Sequence, residues 1–242
     1  MRLCIPLSET NGDESISPRY GFARLTDIQT NFAPVASTLK GATARGVLWQ
    51  AARNRFLLDI PDVARYLVSA GAVITIDRAP DARDEDVTRF LRMTPLAALL
   101  FQRRSLAFHA AVVSPPSFPQ QQKMGRADET GAILLAGDSG AGKSTLLAAL
   151  LKRGWRMLAD DLAVVEADAE GRLVVPPAFP EIGLWPDAVE KLELSAATRK
   201  ACPNSSGPSV LTAQLAGAPQ PLRAIYWLSV HHKDEIEMSE LK

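Results

Sequence analysis

Residues 137–144 read Gly-Asp-Ser-Gly-Ala-Gly-Lys-Ser, and Thr145 follows. This is the pattern G-x-x-x-x-G-K-[ST], and no other stretch constrains the chain as much. Gly137, Gly140 and Gly142 free the backbone to turn successive N–H groups inward around a polyphosphate. Asp138, Ser139 and Ala141 complete the loop between them. Lys143 is placed to reach the β- and γ-phosphates, and the Ser144 hydroxyl to ligate Mg²⁺. The flanks agree with this reading. Ala-Ile-Leu-Leu-Ala at 132–136 is wholly apolar, as a buried parallel strand requires. Leu-Leu-Ala-Ala-Leu-Leu at 146–151 is helix-forming, and Gly154 stands where a helix C′ residue belongs. Strand, glycine-rich loop and helix together predict a nucleotide site, taken as one for ATP with Mg²⁺. The pattern does not separate ATP from GTP.

A carboxylate pair lies close behind. Trp-Arg-Met-Leu-Ala at 155–159 reads as a strand that ends in Asp160 and Asp161, and Asp160 is 17 positions beyond Lys143. That interval holds one helix and one return strand, so a compact βαβ unit is expected. Ligands of such sheets sit outside the carboxyl ends of the strands, which brings both carboxylates to the phosphates. One would hold Mg²⁺ and the other accept the proton of an attacking hydroxyl. Adjacent strand side chains point to opposite faces, so the two need not share a role.

The loop at 137–144, followed by Arg-Gly-Trp-Arg-Met-Leu-Ala-Asp-Asp at 153–161, resembles the catalytic core of the HPr kinase/phosphorylase family. Those bacterial enzymes phosphorylate a serine of a small carrier protein. The family also has a His on the strand before the loop, and Leu-Ala-Phe-His-Ala-Ala-Val-Val at 106–113 supplies it as His109. The resemblance implies that Asp160 is the general base and that Lys143 and Ser144 hold phosphate and metal. It further implies that Asp161 serves the metal and that His109 lies near the transferred phosphoryl group. The roles of Asp160 and Asp161 rest on the resemblance alone and are exchangeable. Related enzymes carry a Glu that serves the metal near the position of Glu181; a surface acid is the other reading of that residue.

The resemblance is strongest over 105–168. Segments 179–192 and 221–228 look like the shorter HPr-kinase-related proteins, among them lasso-peptide precursor kinases, and 56–61 and 64–68 look like that group's N-terminal half. Two departures matter. No phosphorylase-type signature is found, so efficient phosphorolysis is not expected. The chain also ends at Lys242, just after an apparent strand, where the family continues into further helices. Whether the domain is complete there stays open.

Composition narrows the rest. Hydrophobic residues make up 47% of the chain and charged residues 22%, as in an ordinary globular protein. Lys+Arg and Asp+Glu are both 27, which leaves no electrostatic footprint for nucleic acid or an anionic membrane. No apolar run is long enough to span a bilayer, and Pro6 and Glu9 interrupt any signal-peptide core. Cys4 and Cys202 form neither metal spacing nor a disulfide framework. A cytoplasmic protein is expected, with no membrane or nucleic-acid partner.

The expected fold class is α/β: a P-loop kinase-like βαβ core at 94–242 with a mixed, β-rich module at 1–93. In the latter, Asn11-Gly12 is a hairpin signal, 46–60 and 72–77 read as strands, and 62–70 reads as a short helix ended by Gly71. Its role is packing, or presenting the acceptor. Segments 84–91 and 95–103 are helical. The Pro- and Gln-rich stretch 114–131 reads as a solvated insertion. Strands are expected at 162–167 and 172–175 about a turn at 168–171. Trp185 is expected to pack, 197–218 to be a loop, and His231-His232 to lie in an exposed turn.

A phosphate loop specifies a nucleotide, not a reaction. The carboxylate pair and His109 favour a kinase acting on a serine hydroxyl of a peptide or small protein. A small-molecule kinase and a nucleotide-responsive binding protein are the alternatives. A transporter-type ATPase is disfavoured, because neither its signature motif nor its distant second acidic strand is present. The resembling kinases are commonly oligomers, which makes a homo-oligomer an option.

Overall fold

The computed structural model describes residues 28–116, 131–195, 197–200 and 208–230. Six strands come first: β1 (Gln29–Phe32), β2 (Ala44–Arg45), β3 (Trp49–Ala52), β4 (Arg55–Ile60), β5 (Ala64–Ser69) and β6 (Val73–Arg78). They form one sheet in the order β1-β6-β5-β4-β3-β2. The β1–β6 pair is parallel and the others antiparallel. The helix expected at 62–70 is instead β5. Its apolar period is two, with Ala64, Tyr66 and Val68 buried and the residues between them half-buried. Left-handed Asp62 at one end, and Ala70 and Gly71 at the other, turn the chain so that β5 pairs with both neighbours. Gly71 thus serves a hairpin turn rather than a helix end.

Two helices follow, close to the expected bounds: α1 (Asp84–Arg92) and α2 (Thr94–Gln102). The first turn of α1 carries Asp84, Glu85 and Asp86 and its last turn Arg89 and Arg92, the polarity a helix dipole favours. Pro95 begins α2, where its missing N–H costs nothing. The sequence of α2 is apolar almost all round, and both sheets use it. Leu99 joins Tyr66, Val68, Ile74 and Leu91 in the core of the first sheet. Leu96 and Leu100 join Leu158, Val164 and Val165 in the core of the second.

The second sheet is built from β7 (Leu106–Phe108), β8 (Ala111–Ser114), β9 (Ala132–Gly137), β10 (Arg156–Ala159), β11 (Ala163–Ala167) and β12 (Leu173–Val175). Between β9 and β10 runs α3 (Lys143–Leu151). Beyond β12 come β13 (Glu181–Leu184), α4 (Pro186–Lys191), β14 (Thr198–Lys200), β15 (Ser209–Thr212) and β16 (Gln220–Leu228), the last of which completes the second sheet. Its order is β10-β8-β9-β16-β12-β11-β7. The β9–β16 pair is parallel, and the remaining pairs are antiparallel. Both β9 and β10 run antiparallel to β8, so they share a direction but are not neighbours. The compact βαβ unit expected at 132–161 is therefore split by β8. The fold as a whole is mixed α/β and rich in strand.

The ends of this sheet are joined by very short links. Residues 109 and 110 connect β7 to β8, and residues 160–162 connect β10 to β11. Since β7 and β10 are the two edge strands, links this short require the sheet to curl until its edges approach.

Several local expectations change. The strand expected over 106–113 breaks at His109. The 163–175 hairpin forms as expected, with Glu166 opposite Val174. Part of the expected 197–218 loop forms β14 and β15, and β15 lies between β13 and β14 in a small third sheet. Trp185 caps α4 and is 60% exposed, so it does not pack. The Asn11-Gly12 turn, Cys4, Cys202, His231-His232 and residues 117–130 of the insertion lie outside the described residues. No helix among the described residues is long and apolar enough to cross a membrane.

Because Leu99 is fully buried where α2 meets the first sheet, Leu99→Ala is expected to cost about 2–5 kcal/mol of unfolding free energy. Urea unfolding measures this. A loss below about 1 kcal/mol would show that α2 does not pin the two sheets together.

Candidate active site

The two links that cross the sheet seam carry three of the candidate residues. His109 lies on one, and Asp160 and Asp161 on the other. The Leu162 N–H donates to the Asp160 carbonyl at 2.8 Å, closing a three-residue turn about Asp161, whose φ is +64°. For a non-glycine residue such a turn stores on the order of 1–3 kcal/mol of strain. It also separates the pair. Asp160 is 8% exposed, whereas Asp161 is exposed at the surface. His109 Nδ1 lies 3.1 Å from the Asp161 carbonyl oxygen. That oxygen only accepts, so Nδ1 is the donor of this bond. This bond ties one link to the other.

The loop 137–145 stands between the end of β9 and the start of α3. Gly137 has φ +139°, and a Cβ there would lie 2.3 Å from the Leu228 carbonyl oxygen, so glycine is required for β9 to leave the sheet beside β16. Gly142, at φ +92°, caps the N-terminus of α3. A Cβ on Gly140 or Gly142 would meet no heavy atom within 4 Å, so the space beside both glycines is open. Asp138, Ser139 and Gly140 are exposed, while Ala141, Gly142, Ser144 and Thr145 are half-buried. Lys143 is 6% exposed, and its Nζ donates to the carbonyls of Gly137 at 3.0 Å and Asp138 at 2.9 Å. The ammonium is thereby held across the mouth of the loop.

One bond joins loop and carboxylates: Ser144 Oγ donates to Asp160 Oδ1 at 3.0 Å. Asp160 Oδ2 is buried without a hydrogen-bond partner among the described residues. Burial first, and the charge of Asp161 second, push the Asp160 carboxyl up to about 7. The Ser144 hydroxyl and the nearby N–H groups of Asp161 and Gly183 oppose the rise, the latter two without completing a bond to Oδ2.

These residues fit a magnesium-bound polyphosphate. A hydroxyl, a buried orphaned carboxylate oxygen and an exposed carboxylate are hard oxygen donors. An open loop at a helix N-terminus with an adjacent ammonium suits phosphate. No cluster of three or more His, Cys, Asp or Glu suited to a metal occurs among the described residues, so a Mg²⁺ here needs phosphate oxygens to complete its shell.

Glu181, on β13, is paired with Arg92 of α1 at 3.1 Å. The Arg92 guanidinium also lies 4.7 Å over the Phe179 ring. Glu181, Arg92 and Phe179 line a cleft of about 330 Å³ together with Asp160 and Asp161. Glu181 is thus brought to the site but engaged by an arginine. Arg92 is a site residue that sequence reasoning did not single out, since its partner is 89 positions away. A second cleft, of about 1190 Å³, meets the first at Asp161 and Leu162 and is lined by His109.

The raised Asp160 carboxyl makes stability depend on pH. Its folded value, near 7, exceeds the ordinary 3.8, so the native state binds this proton more tightly than the unfolded chain. The stabilisation is complete below the unfolded value and is lost as pH rises through the folded one. The nucleotide-free protein should therefore lose up to roughly 4 kcal/mol from this group between about pH 4 and pH 8, and Asp160→Asn should remove that loss. Melting temperatures of both proteins across this range should diverge toward high pH, with the variant the more stable. A constant difference would refute the buried, raised carboxyl.

A scan against protein-family models finds no match to this chain, and a search of curated proteins finds none either, so the site's chemistry has to be argued from its own residues.

Proposed function

We propose that this protein is an ATP-dependent kinase that transfers the γ-phosphoryl group to a serine hydroxyl of a peptide or small protein, on a phosphate-loop kinase core. The observation that carries this reading is the hydrogen bond from Ser144 to Asp160. It joins the Ser144 hydroxyl of the loop to a buried carboxylate, which supports one shared site for polyphosphate and base.

Each residue then has a task. The open backbone of 137–145 cradles the phosphates at the N-terminus of α3. Lys143 leaves the Gly137 and Asp138 carbonyls and meets the β- and γ-phosphates. Mg²⁺, held by Ser144 and Asp161 with phosphate oxygens, would supply charge neutralisation on the transferring group. A serine hydroxyl ionises far above neutrality and needs a base beside the phosphorus. Asp160 fits that role, with an unpartnered Oδ2 in a residue that lines the smaller cleft. The hydroxyl oxygen bonds to the γ-phosphorus, the bond to the bridging oxygen breaks, ADP leaves and the proton passes to Asp160. His109, tied to the Asp161 carbonyl, lines the adjoining larger cleft and holds the link that carries the carboxylates.

The test is mass spectrometry of serine-containing peptides incubated with ATP or GTP and Mg²⁺. Phosphoserine supports the reading; phosphate found only on a free metabolite moves the protein to the small-molecule kinases. Binding without turnover makes it a nucleotide-responsive binder.

Lys143→Ala is expected to weaken nucleotide binding about tenfold or more and to abolish transfer, with the fold intact. Titration with a fluorescent ATP analogue and circular dichroism check this, and unchanged turnover would remove the loop from the mechanism. Asp160→Asn is expected to hold nucleotide affinity within severalfold and to lower kcat by about 10²-fold or more. Single-turnover kinetics check it, and equal rates would take the base role from Asp160.

A further inference from the structure

No residue of 137–145 lines the larger cleft. Its walls are the turn between β3 and β4, one flank of α2, and all of β7 leading to His109 and Asp161. Three independent features of these walls agree. First, β7 is the edge strand of the curled sheet and pairs only with β11 among the described residues. Since every residue of β7 lines the cleft, its unpaired edge offers backbone N–H and C=O groups there, a template for an added strand. Second, the cleft displays large apolar side chains, Phe101 at 82% exposure and Leu106 at 56%. Third, Arg53, Arg55 and Arg104 line it against one carboxylate, Asp161. The cleft is thus basic, although the chain carries no net charge.

We propose that this cleft binds the phosphoryl acceptor as an extended, acidic peptide segment that pairs with the free edge of β7. The segment's carboxylates meet Arg53, Arg55 and Arg104, and its apolar side chains cover Phe101 and Leu106. Its direction along β7 leads to His109 and Asp161, from which a serine hydroxyl has only the Asp161 position to pass before Asp160. The smaller cleft is the less suitable entrance. Its lining carries Asp84, Glu85, Asp86, Asp160, Asp161 and Glu181 against Arg89 and Arg92, a negative balance that disfavours acidic chain. The direction of transfer rests on the kinase reading above, whereas binding of the segment does not.

The probes are two fluorescein-labelled peptides with one core of alternating valine and serine. One has glutamate flanks and the other lysine flanks, and anisotropy is measured without nucleotide. The glutamate peptide should bind at least about tenfold more tightly, and the double variant Arg53→Glu, Arg104→Glu should reverse the preference. Reversal is a gain that an unfolded variant cannot give. N-methylation of alternate core amides should reduce binding by about tenfold or more, because it removes strand pairing. Equal binding, a lysine preference, indifference to N-methylation, no saturable binding of either peptide, or displacement by a short single-stranded oligonucleotide in preference to unlabelled peptide would each overturn the proposal. Phosphoryl transfer is measured in parallel. Peptide binding without transfer would sink the kinase reading and leave the cleft assignment standing; transfer unaffected by the arginine variants would do the reverse.

Discussion

A carboxylate taken almost wholly out of water costs several kcal/mol unless its lone pairs are met, and Asp160 is such a group. One of its oxygens is met by Ser144 and the other by nothing among the described residues. The local structure is arranged around that half-satisfied group. The strained turn at Asp161 keeps the neighbouring carboxylate at the surface, and the His109 bond holds the turn from the opposite link. Residues kept in costly states by their surroundings are the ones to suspect of chemistry, and Asp160 and Asp161 are adjacent examples of two different costs.

The curl of the second sheet is what brings these groups together. His109 and Asp160 are far apart in sequence, but each lies on a link that closes the same seam. The loop 137–145 reaches that seam from the middle of the sheet, because only β8 separates β9 from β10 and α3 spans the interval. On the outside, α2 contributes Leu99 to one core and Leu96 and Leu100 to the other. It thereby sets the β3–β4 turn of the first sheet against β7 and His109. The first sheet thus forms one wall of the larger cleft.

The parts legible in the sequence are those whose signals are local. Residues 132–151 state their own conformation, since an apolar strand, a glycine loop and a leucine-rich helix each need only their own residues. Helices α1 and α2 are legible for the same reason, through an acidic first turn and Pro95. The errors arise where non-local pairing decides. The segment 64–69 has the length of a helical turn or two, and only its neighbours β4 and β6 make its alternation a strand. Insertion of β8 between β9 and β10 cannot be read from the 17-position interval between Lys143 and Asp160. Lys143 and Ser144 stand out through the loop motif, and Asp160 and Asp161 through their place at the end of a strand. The bond between Ser144 and Asp160, the left-handed turn at Asp161, and the Arg92–Glu181 pair are tertiary facts that spacing does not encode.

The central claim is that loop 137–145 and Asp160 form one phosphoryl-transfer site. A crystal structure with Mg²⁺ and a non-hydrolysable ATP analogue tests it most directly. The account predicts the β- and γ-phosphates inside the loop and Lys143 Nζ moved from the Gly137 and Asp138 carbonyls onto them. It also predicts the γ-phosphate at the seam beside Ser144, with Asp160 Oδ2 facing it. A nucleotide bound elsewhere, or a γ-phosphate pointing away from Asp160 with Lys143 still on its carbonyls, would contradict it.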